Sequence, residues 1–344
     1  MPRHNFAEPR GTIERWTLHS GALRANRLGD PADRTVAVYL SPGYDPAGEP
    51  SPVFVGLAGF TSGGLKLLGW QSFGESLPQR IDRLIDQGEL GPLVVVLPDC
   101  FTSLGGNQYV NSPVVGRWED FLLHEVLPEV ERRYHVRSDA VGRAVFGKSS
   151  GGYGALIQAL RHGDCWGAVA CHSGDIDFDL CYRPQLAQVV DVLAGFDGDA
   201  ARFIEHVRRA TKIAGHEMFA LMMLAMCATY DPDPDAAFGV RLPVDARTCA
   251  LIDDRWQHWL RHDPLRIVEQ PAARNNLTRL RLLFLDCGSR DQFAAHFGAR
   301  RFAARLAQHE IAHVFEEFDD DHSGIDYRLD RSLPLLYRAV TAGD

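Results

Sequence analysis

Two short, almost uninterrupted apolar runs constrain the fold of this chain more than any other feature. Residues 52–58 (PVFVGLA) and 93–97 (LVVVL) carry no charge and are rich in β-branched residues. Runs of this kind are typical of strands that are buried on both faces of a parallel sheet. Similar runs at residues 144–146, 166–171 and 280–285 predict three further strands.

Helical periodicity separates these predicted strands. Apolar residues recur every four positions in residues 118–134, where Pro128 is expected to kink the helix, and they follow the i, i+3, i+4, i+7 rule after Gly151. The alternation of strands with helices predicts an α/β fold with a mostly parallel sheet covered on both faces. Two earlier β-rich runs, residues 12–18 and 35–40, are expected to add antiparallel strands at one edge.

The pattern changes between about residues 174 and 271, where helical segments follow one another without a good strand. We expect a helical insertion over the carboxyl edge of the sheet, which is where open α/β sheets bind ligands. Within it, the Met- and Leu-rich residues 218–227 indicate either an apolar acyl pocket or, as helical spacing favours, part of the core. Residues 1–10 resemble a flexible tail, so residues 11–344 are expected to form a single domain.

Composition and charge argue against several classes of function. The net charge is -9 and no block of Lys or Arg occurs, so nothing indicates binding to nucleic acid or to an anionic membrane. The first residues lack a signal-peptide core, and no apolar stretch is long enough to cross a bilayer. Seven cysteines without a C-x-x-C pair predict reduced thiols in a cytoplasmic protein, with no metal and no other cofactor. The sequence leaves the oligomeric state open, and a homodimer is one of the alternatives.

The strongest functional motif is Gly147-Lys148-Ser149-Ser150-Gly151, which fits G-x-S-x-G between a predicted strand and a predicted helix. This context is the one that a nucleophile elbow requires. A sharp turn at Ser149 would free its hydroxyl from the backbone, and the two glycines would let the chain pack closely around that turn. We therefore expect Ser149 to be the nucleophile, with Ser150 as the neighbouring alternative. Lys148 is expected to point away and to form a salt bridge.

A serine nucleophile needs a histidine base and an acid that orients it. In chains with this motif, the acid comes after the serine and the histidine comes last. Asp291 lies in a loop after a predicted strand and is the preferred acid, while Asp286 at the strand end is the alternative. Such a carboxylate orients the imidazole and stabilises its charged form, although either residue could instead cap a turn or helix. His322, the last histidine, follows a strand-like run at residues 312–318 and is the expected base. The carboxylates at 319–321 indicate a solvated turn rather than a metal site.

Two backbone amides are expected to bind the oxyanion that forms on a substrate carbonyl. One is the N–H of Ser150 at the start of the helix, where free N–H groups and the helix dipole favour negative charge. The other is the N–H of Phe60, in the glycine-rich loop after an early buried strand, with Thr61 as the neighbouring option. In a later loop, Asn107 and Tyr109 are expected either to line the substrate site or to hold the loop together.

At these residues the chain resembles a known family, the esterase D and enterochelin-esterase-like group of α/β hydrolases. That group includes S-formylglutathione hydrolases, feruloyl esterases and mycolyltransferases. The likeness is carried by residues 38–44, 58–60, 147–152 and 286–291 together with His322. The resemblance implies the α/β-hydrolase fold, catalytic roles for Ser149, Asp291 and His322, and an oxyanion amide from Phe60. Ala58 stands where the family has His or Asp, which leaves the backbone donor in place.

Three functions agree with this pattern. The first is hydrolysis of a small-molecule carboxylic ester or thioester through an acyl-enzyme on Ser149. The second is transfer of the same acyl group to an alcohol or thiol, with the insertion shielding it from water. The third is a non-catalytic binding protein on a hydrolase fold, since fold does not imply function. The presence of all three triad candidates in the expected order counts against this third hypothesis.

Overall fold

The computed structural model describes residues 4–343, and its centre is an eight-stranded sheet. In chain order, the strands are β1 (Thr12–His19), β2 (Asp33–Leu40), β3 (Val53–Leu57), β4 (Val94–Pro98), β5 (Arg143–Lys148), β6 (Ala168–His172), β7 (Leu282–Gly288) and β8 (Val314–Phe318). They lie in the order β1-β2-β4-β3-β5-β6-β7-β8. β2 pairs antiparallel with β1 and with β4, and the other neighbours are parallel. This order confirms the predicted, mostly parallel sheet with an antiparallel edge, which is the α/β-hydrolase fold.

Helices cover both faces of the sheet. In chain order they are α1 (Leu77–Asp86), α2 (Leu127–Arg133), α3 (Ser150–Arg161), α4 (Phe178–Cys181), α5 (Leu186–Ala194), α6 (Ala200–Arg209), α7 (Gly215–Tyr230), α8 (Asp253–Leu260), α9 (Pro264–Ile267), α10 (Pro271–Leu277), α11 (Ala295–Gln308) and α12 (Leu329–Thr341). Short 3₁₀ turns lie at Gly64–Leu68, Ala140–Gly142, Arg183–Gln185, Ala237–Gly239 and Ile325–Arg328, and Asn111–Ser112 pairs with Gly116–Arg117 in a small hairpin.

The apolar core is divided by the sheet into two layers. The smaller layer packs α1 and α12 against one face, and the larger layer packs α3 and the helices between β6 and β7 against the other. Every residue of β3, β4 and β6 is buried, as the apolar sequences of β3 and β4 and the apolar run that leads into His172 of β6 predict. Ser149 follows directly after β5 in the middle of the sheet, so the carboxyl ends of the central strands surround the elbow.

The helix predicted over residues 118–134 forms with a change of geometry ahead of Pro128. An α-helical turn at Trp118–Asp120 leads into a π-helical segment, Phe121–Val126, before α2 begins at Leu127. Proline has no N–H to donate to the preceding turn, so the helix widens just before it. The expected distortion is therefore present as a π-helical segment.

The region between β6 and β7 is helical, and it adds no strand to the eight-stranded sheet. It packs against the loop before the small hairpin, because the hydroxyl of Tyr230 donates to Oε1 of Gln108 at 3.1 Å and that of Ser112 donates to the carbonyl of Ala228 at 2.8 Å. Met223 and its apolar neighbours in α7 are buried in the larger core layer. The Met-rich segment is therefore core, the alternative that helical spacing favoured.

The first described residues lie along α1. The side-chain amide of Gln79 donates to the carbonyls of Asn5 and Ala7, and the N–H of Arg10 donates to Asp82 at 2.7 Å. Within residues 4–343, the structure has no helix that is long and apolar enough to span a bilayer.

Candidate active site

Ser149 occupies the sharp turn between β5 and α3. Its backbone lies at φ 57° and ψ -126°, a conformation that non-glycine residues rarely adopt. The N–H of Ser149 donates to the carbonyl of His172 at 2.9 Å, and its own carbonyl accepts from the N–H of Tyr153 at 2.8 Å. These two bonds hold the strained residue in place while its side chain stays partly exposed.

The glycines of the motif are required by close backbone contacts. A Cβ on Gly147 would lie 2.4 Å from the carbonyl of Gly151, and a Cβ on Gly151 would lie 2.1 Å from the carbonyl oxygen of Leu57. Both distances are far inside van der Waals contact, so only glycine lets α3 begin this close to β3. The local geometry therefore has the form that the G-x-S-x-G pattern predicts for an elbow.

Asp291 and His322 contact each other from the loops that follow β7 and β8. Nδ1 of His322 donates to Oδ2 of Asp291 at 2.6 Å, and Oδ1 of Asp291 accepts from the N–H of Phe293 at 2.9 Å. Burial by itself raises the pKa of Asp291, but the hydrogen bond from His322 and its charge outweigh this effect, and the pKa is lowered. The carboxylate stays ionised and fixes the orientation of the imidazole. The ring of Phe293 packs edge-on against that imidazole at 4.8 Å.

Asp286, the alternative acid, is engaged by a different histidine. Its Oδ1 accepts from Nδ1 of His172 at 2.7 Å, and its Oδ2 accepts from Nε of Arg328 at 2.8 Å. Nε2 of His172 lies 2.9 Å from Oγ of Ser332 in α12. Of the two candidate acids, Asp291 is therefore the one that contacts His322.

The hydroxyl of Ser149 makes no hydrogen bond shorter than 3.5 Å to His322 in this structure. In sites of this kind, that bond is often long without substrate and closes when substrate binds. A third carboxylate, Asp175, interacts with groups from both segments, since the hydroxyl of Ser150 hydrogen-bonds to it and the charges of His322 and Asp291 act on it.

Both predicted oxyanion amides flank Ser149. A Cβ on Gly59 would lie 3.5 Å from Cβ of Ser149, so the turn that carries Phe60 approaches the nucleophile closely. No acceptor within residues 4–343 engages the N–H of Phe60, whose ring is buried against Gly105. Ser150 is the first residue of α3, and its N–H therefore has no acceptor within the helix. Thr61, the neighbouring option, lies in the same turn and is exposed.

Lys148 does not form the salt bridge that was expected of it. Within residues 4–343, no carboxylate lies within 4.0 Å of its amine. Burial lowers its pKa, while the more distant charges of Asp326, Asp291 and Asp321 act in the opposite direction. The prediction was wrong because Lys148 is the last residue of β5, where the carboxylates whose charges act on its amine lie beyond ion-pair distance.

Tyr109 and Asn107 differ in how their polar groups are engaged. Tyr109 is 2% exposed, its hydroxyl donates to the carbonyl of Ala58 at 2.6 Å, and its ring fills the space left by Gly154 in α3. Tyr109 therefore anchors its own loop to the end of β3 and to α3. The Oδ1 atom of Asn107 accepts from the N–H of Tyr109, whereas its Nδ2 is buried with no hydrogen-bond partner among the described residues.

A family comparison identifies the group to which this architecture belongs. The profile of the Esterase family, described as "Putative esterase", matches residues 28–329. The chain belongs to this Esterase family. The match covers strands β2 to β8 of the sheet, the elbow and both loops that carry Asp291 and His322.

Several known proteins are similar to this Esterase-family chain. Esterase Rv1288 of Mycobacterium tuberculosis is 35% identical over 89 residues, which is 24% of this chain and 18% of that protein. A solved ferulic acid esterase superposes with a TM-score of 0.61 at 19% identity, covering 96% of this chain and all of that one. An S-formylglutathione hydrolase from Agrobacterium tumefaciens gives a TM-score of 0.58 at 17% identity, with 98% of each chain covered. At these identities, the structural likeness concerns the fold.

Sequence reasoning missed two side chains that contact Ser150 at the elbow of this Esterase-family chain, Gln108 and Asp175. Nε2 of Gln108 donates to Oγ of Ser150 at 2.8 Å, and Asp175 follows the end of β6. The position of Asp175 carried a usable signal, since residues just beyond the carboxyl ends of central strands line the site in this kind of sheet. Gln108 had no comparable signal, because it reaches the elbow through the folding of a long loop.

The run of carboxylates before His322 forms a hydrogen-bonded turn. Asp319 pairs with Arg290, Asp320 accepts from the hydroxyl of Tyr327 at 2.9 Å, and Asp321 accepts from the N–H of Ser323 at 2.6 Å. In residues 4–343, no three His, Cys, Asp or Glu side chains are grouped so that they could hold a metal ion.

Proposed function

We propose that this protein is a serine esterase that hydrolyses a carboxylic ester or thioester through an acyl-enzyme on Ser149. The observation that carries the proposal is the 2.6 Å hydrogen bond between Asp291 and His322, in a chain that also holds Ser149 at φ 57° on a strand–helix turn. Nucleophilic acyl transfer needs a base that is oriented by a buried carboxylate and a partly exposed serine on a strained turn.

In the first half of the reaction, Oγ of Ser149 attacks the substrate carbonyl carbon while Nε2 of His322 takes its proton. The negative charge that develops on the carbonyl oxygen is stabilised by the free N–H groups of Phe60 and Ser150. Asp291 stabilises the imidazolium that forms. The C–O or C–S bond then breaks, and His322 donates its proton to the leaving alcohol or thiol.

In the second half, water takes the place of the leaving group. His322 removes a proton from the water as it attacks the acyl carbon, and the same two amides stabilise the second oxyanion. Collapse of this intermediate returns the proton to Ser149 and releases the carboxylic acid. The names of the solved neighbours, a ferulic acid esterase and an S-formylglutathione hydrolase, support both an ester and a thioester as the bond that is cleaved.

The test is labelling with a fluorophosphonate probe together with turnover of p-nitrophenyl acetate and butyrate. Wild type is expected to be labelled and to hydrolyse these esters, and Ser149→Ala to lose both activities, with a rate at least about a thousandfold lower. Ser150→Ala keeps the backbone amide and should still be labelled, which separates the two neighbouring serines. Labelling of Ser149→Ala, or folded wild type that is neither labelled nor active, would overturn the proposal.

A further inference from the structure

The loop formed by residues 105–109 contacts both segments that carry the expected oxyanion amides. On one side, a Cβ on Gly106 would lie 2.3 Å from Cα and from the carbonyl oxygen of Phe60, so the two backbones are in direct contact. The hydroxyl of Tyr109 donates to the carbonyl of Ala58 at 2.6 Å. These two contacts attach the loop to the turn that presents the N–H of Phe60.

On the other side, the side chain of Gln108 reaches the first residue of α3. Its Nε2 atom donates to Oγ of Ser150 at 2.8 Å, and its Oε1 atom accepts from the hydroxyl of Tyr230 at 3.1 Å. Gln108 is 3% exposed and Ser150 is 1% exposed. Because bulk water does not compete for these atoms, the protein contacts fix them in one arrangement. The loop is therefore attached to the start of α3 as firmly as it is to the turn at Phe60.

The hydroxyl of Ser150 is also held from beyond the end of β6. It hydrogen-bonds to the carboxyl group of Asp175, which the hydroxyl of Tyr182 contacts as well. Burial raises the pKa of Asp175 to about 6, whereas these two hydrogen bonds lower it, since they favour the charged form. A serine hydroxyl can donate one hydrogen bond and still accept another. Ser150 uses both capacities, because it donates to Asp175 and accepts from Gln108.

The direction of the N–H of Ser150 depends on what holds the rest of this residue. Ser150 begins α3, so its N–H has no acceptor within the helix. With Oγ bound between Gln108 and Asp175, the residue cannot rotate without breaking buried hydrogen bonds, which is costly. An oxyanion site works only when its donors are fixed in advance at about 2.7–3.1 Å from the oxygen that becomes charged. The contacts of the Ser150 side chain supply that fixation.

We propose that Gln108 is a positioning residue of the reaction, which holds the N–H of Ser150 at a fixed distance from the N–H of Phe60. This inference rests on the proposed function and adds to it the residue that shapes the oxyanion site. Gln108 acts through Ser150, so its loss should weaken binding of the transition state and leave binding of the ester nearly unchanged. Removal of an oxyanion donor lowers kcat by about 10²- to 10³-fold, and a displaced donor should lower it by about 10- to 100-fold.

The experiment measures kcat and KM for p-nitrophenyl butyrate and the Ki of a trifluoromethyl ketone with a propyl chain. Oγ of Ser149 adds to the ketone carbon and turns its oxygen into an oxyanion, so this inhibitor probes the two amides directly. Gln108→Met keeps the length of the side chain without its polar atoms. It should lower kcat by about 10- to 100-fold, keep KM within about threefold, and raise Ki by about the factor by which kcat/KM falls.

Gln79→Met is the matched control for the loss of a buried, hydrogen-bonded amide. Gln79 is 6% exposed, and its side chain donates to the carbonyls of Asn5 and Ala7 beside α1. This variant should lose thermal stability and keep kcat, KM and Ki within about threefold of wild type. If Gln108→Met also loses only stability and keeps all three constants, its role is structural and the proposal is overturned.

Ser150→Ala tests whether Gln108 acts through the hydroxyl of Ser150. It should lower kcat by a similar factor and slow the labelling by fluorophosphonate, and the double variant should lose no more than about threefold beyond the larger single effect. Losses that multiply in the double variant, or wild-type kcat in Ser150→Ala, would overturn the proposal. Since Ser150→Ala removes a single oxygen atom, it provides the test even if Gln108→Met does not fold.

Failure of the proposed function has a separate signature. Wild type would then neither hydrolyse the ester nor be labelled by the fluorophosphonate, and this inference would fall with it. A wild type that is active and labelled, with Gln108→Met unchanged in kcat, would instead overturn the positioning role of Gln108 alone.

Discussion

Nδ1 of His172 donates a 2.7 Å hydrogen bond to Oδ1 of Asp286, which gives the molecule a second histidine–carboxylate pair. On the other side of the ring, Nε2 of His172 meets the hydroxyl of Ser332 at 2.9 Å, so the three residues repeat the contacts of a catalytic triad. All three are at most 3% exposed. Because a substrate cannot reach them, this set acts as a structural link between the ends of β6 and β7 and helix α12.

Removing the charge of Asp286 should therefore affect stability rather than chemistry. Asp286→Asn weakens the bonds to His172 and to Arg328 and should lower the free energy of unfolding by roughly 2–4 kcal/mol, measured by urea denaturation. Fluorophosphonate labelling of Ser149 in the folded fraction should persist. Asp191→Asn on the surface is the control and should change stability by less than about 0.5 kcal/mol. Unchanged stability together with lost labelling would instead assign Asp286 to the reaction.

Replacement of Asp291 should instead affect catalysis. Asp291→Asn cannot stabilise the imidazolium of His322, and kcat should fall by about 10³- to 10⁴-fold with little change in KM. The lowered pKa of Asp291 lies below its ordinary value of 3.8, so this carboxylate stays charged at higher pH. The loss should be measured at about pH 8, well above the range in which this carboxylate titrates, by turnover of a p-nitrophenyl ester. A variant that keeps kcat within about tenfold of wild type would contradict the orienting role of Asp291.

The glycines of the elbow provide a steric test. Gly151→Ala introduces a Cβ 2.1 Å from the carbonyl oxygen of Leu57, so the start of α3 must move and activity should be lost together with roughly 2 kcal/mol or more of stability. Gly215→Ala, at the first residue of α7, is the matched control because nothing lies within 4 Å of the added Cβ. It should be neutral or stabilise by up to about 1 kcal/mol. Equal effects of the two substitutions in thermal unfolding and turnover would contradict the close-contact argument.

A buried ion-pair cluster away from the site predicts a pH-dependent stability. Glu119 is 9% exposed and accepts from Nη1 of Arg161 at 2.8 Å and from Nε2 of His162 at 2.6 Å. Burial would raise its pKa, but the bond from His162 and the charge of Arg161 lower it below the ordinary value of 4.5. The stabilisation is therefore fully present above pH 4.5 and is lost as the pH falls through the lower folded value.

The substitution Glu119→Gln tests this direction of the pH dependence of stability. At neutral pH, the variant should be less stable by about 1–3 kcal/mol in urea denaturation, since it leaves Arg161 without its carboxylate. The difference from wild type should shrink as the pH is lowered below the ordinary value of 4.5. A difference that grows toward acid pH would mean that the carboxylate is not the stabilising partner.

Local physical rules account for the features that the sequence by itself determined. Uninterrupted β-branched runs can be buried only where both faces of a strand are covered, which identified β3 and β4 before any contact was known. The turn at Ser149 could also be predicted from the sequence. Gly147 and Gly151 have no side chains, which is what the close backbone contacts of the turn require. Chain order then named Asp291 and His322 as candidates. The salt bridge of Lys148 was predicted wrongly, since a local pattern cannot show which carboxylates the fold brings within ion-pair distance of the amine.

The tertiary structure alone decided which carboxylate meets which histidine. In the parallel register of β6 and β7, His172 lies directly opposite Asp286, and the carboxylate of Asp286 therefore binds His172. Asp291 lies in the loop after β7, and its carboxylate binds His322. The tertiary structure also brought Gln108 and Asp175 to the elbow from separate loops. Such choices depend on strand register and on contacts between residues far apart in the chain, which sequence periodicity does not encode.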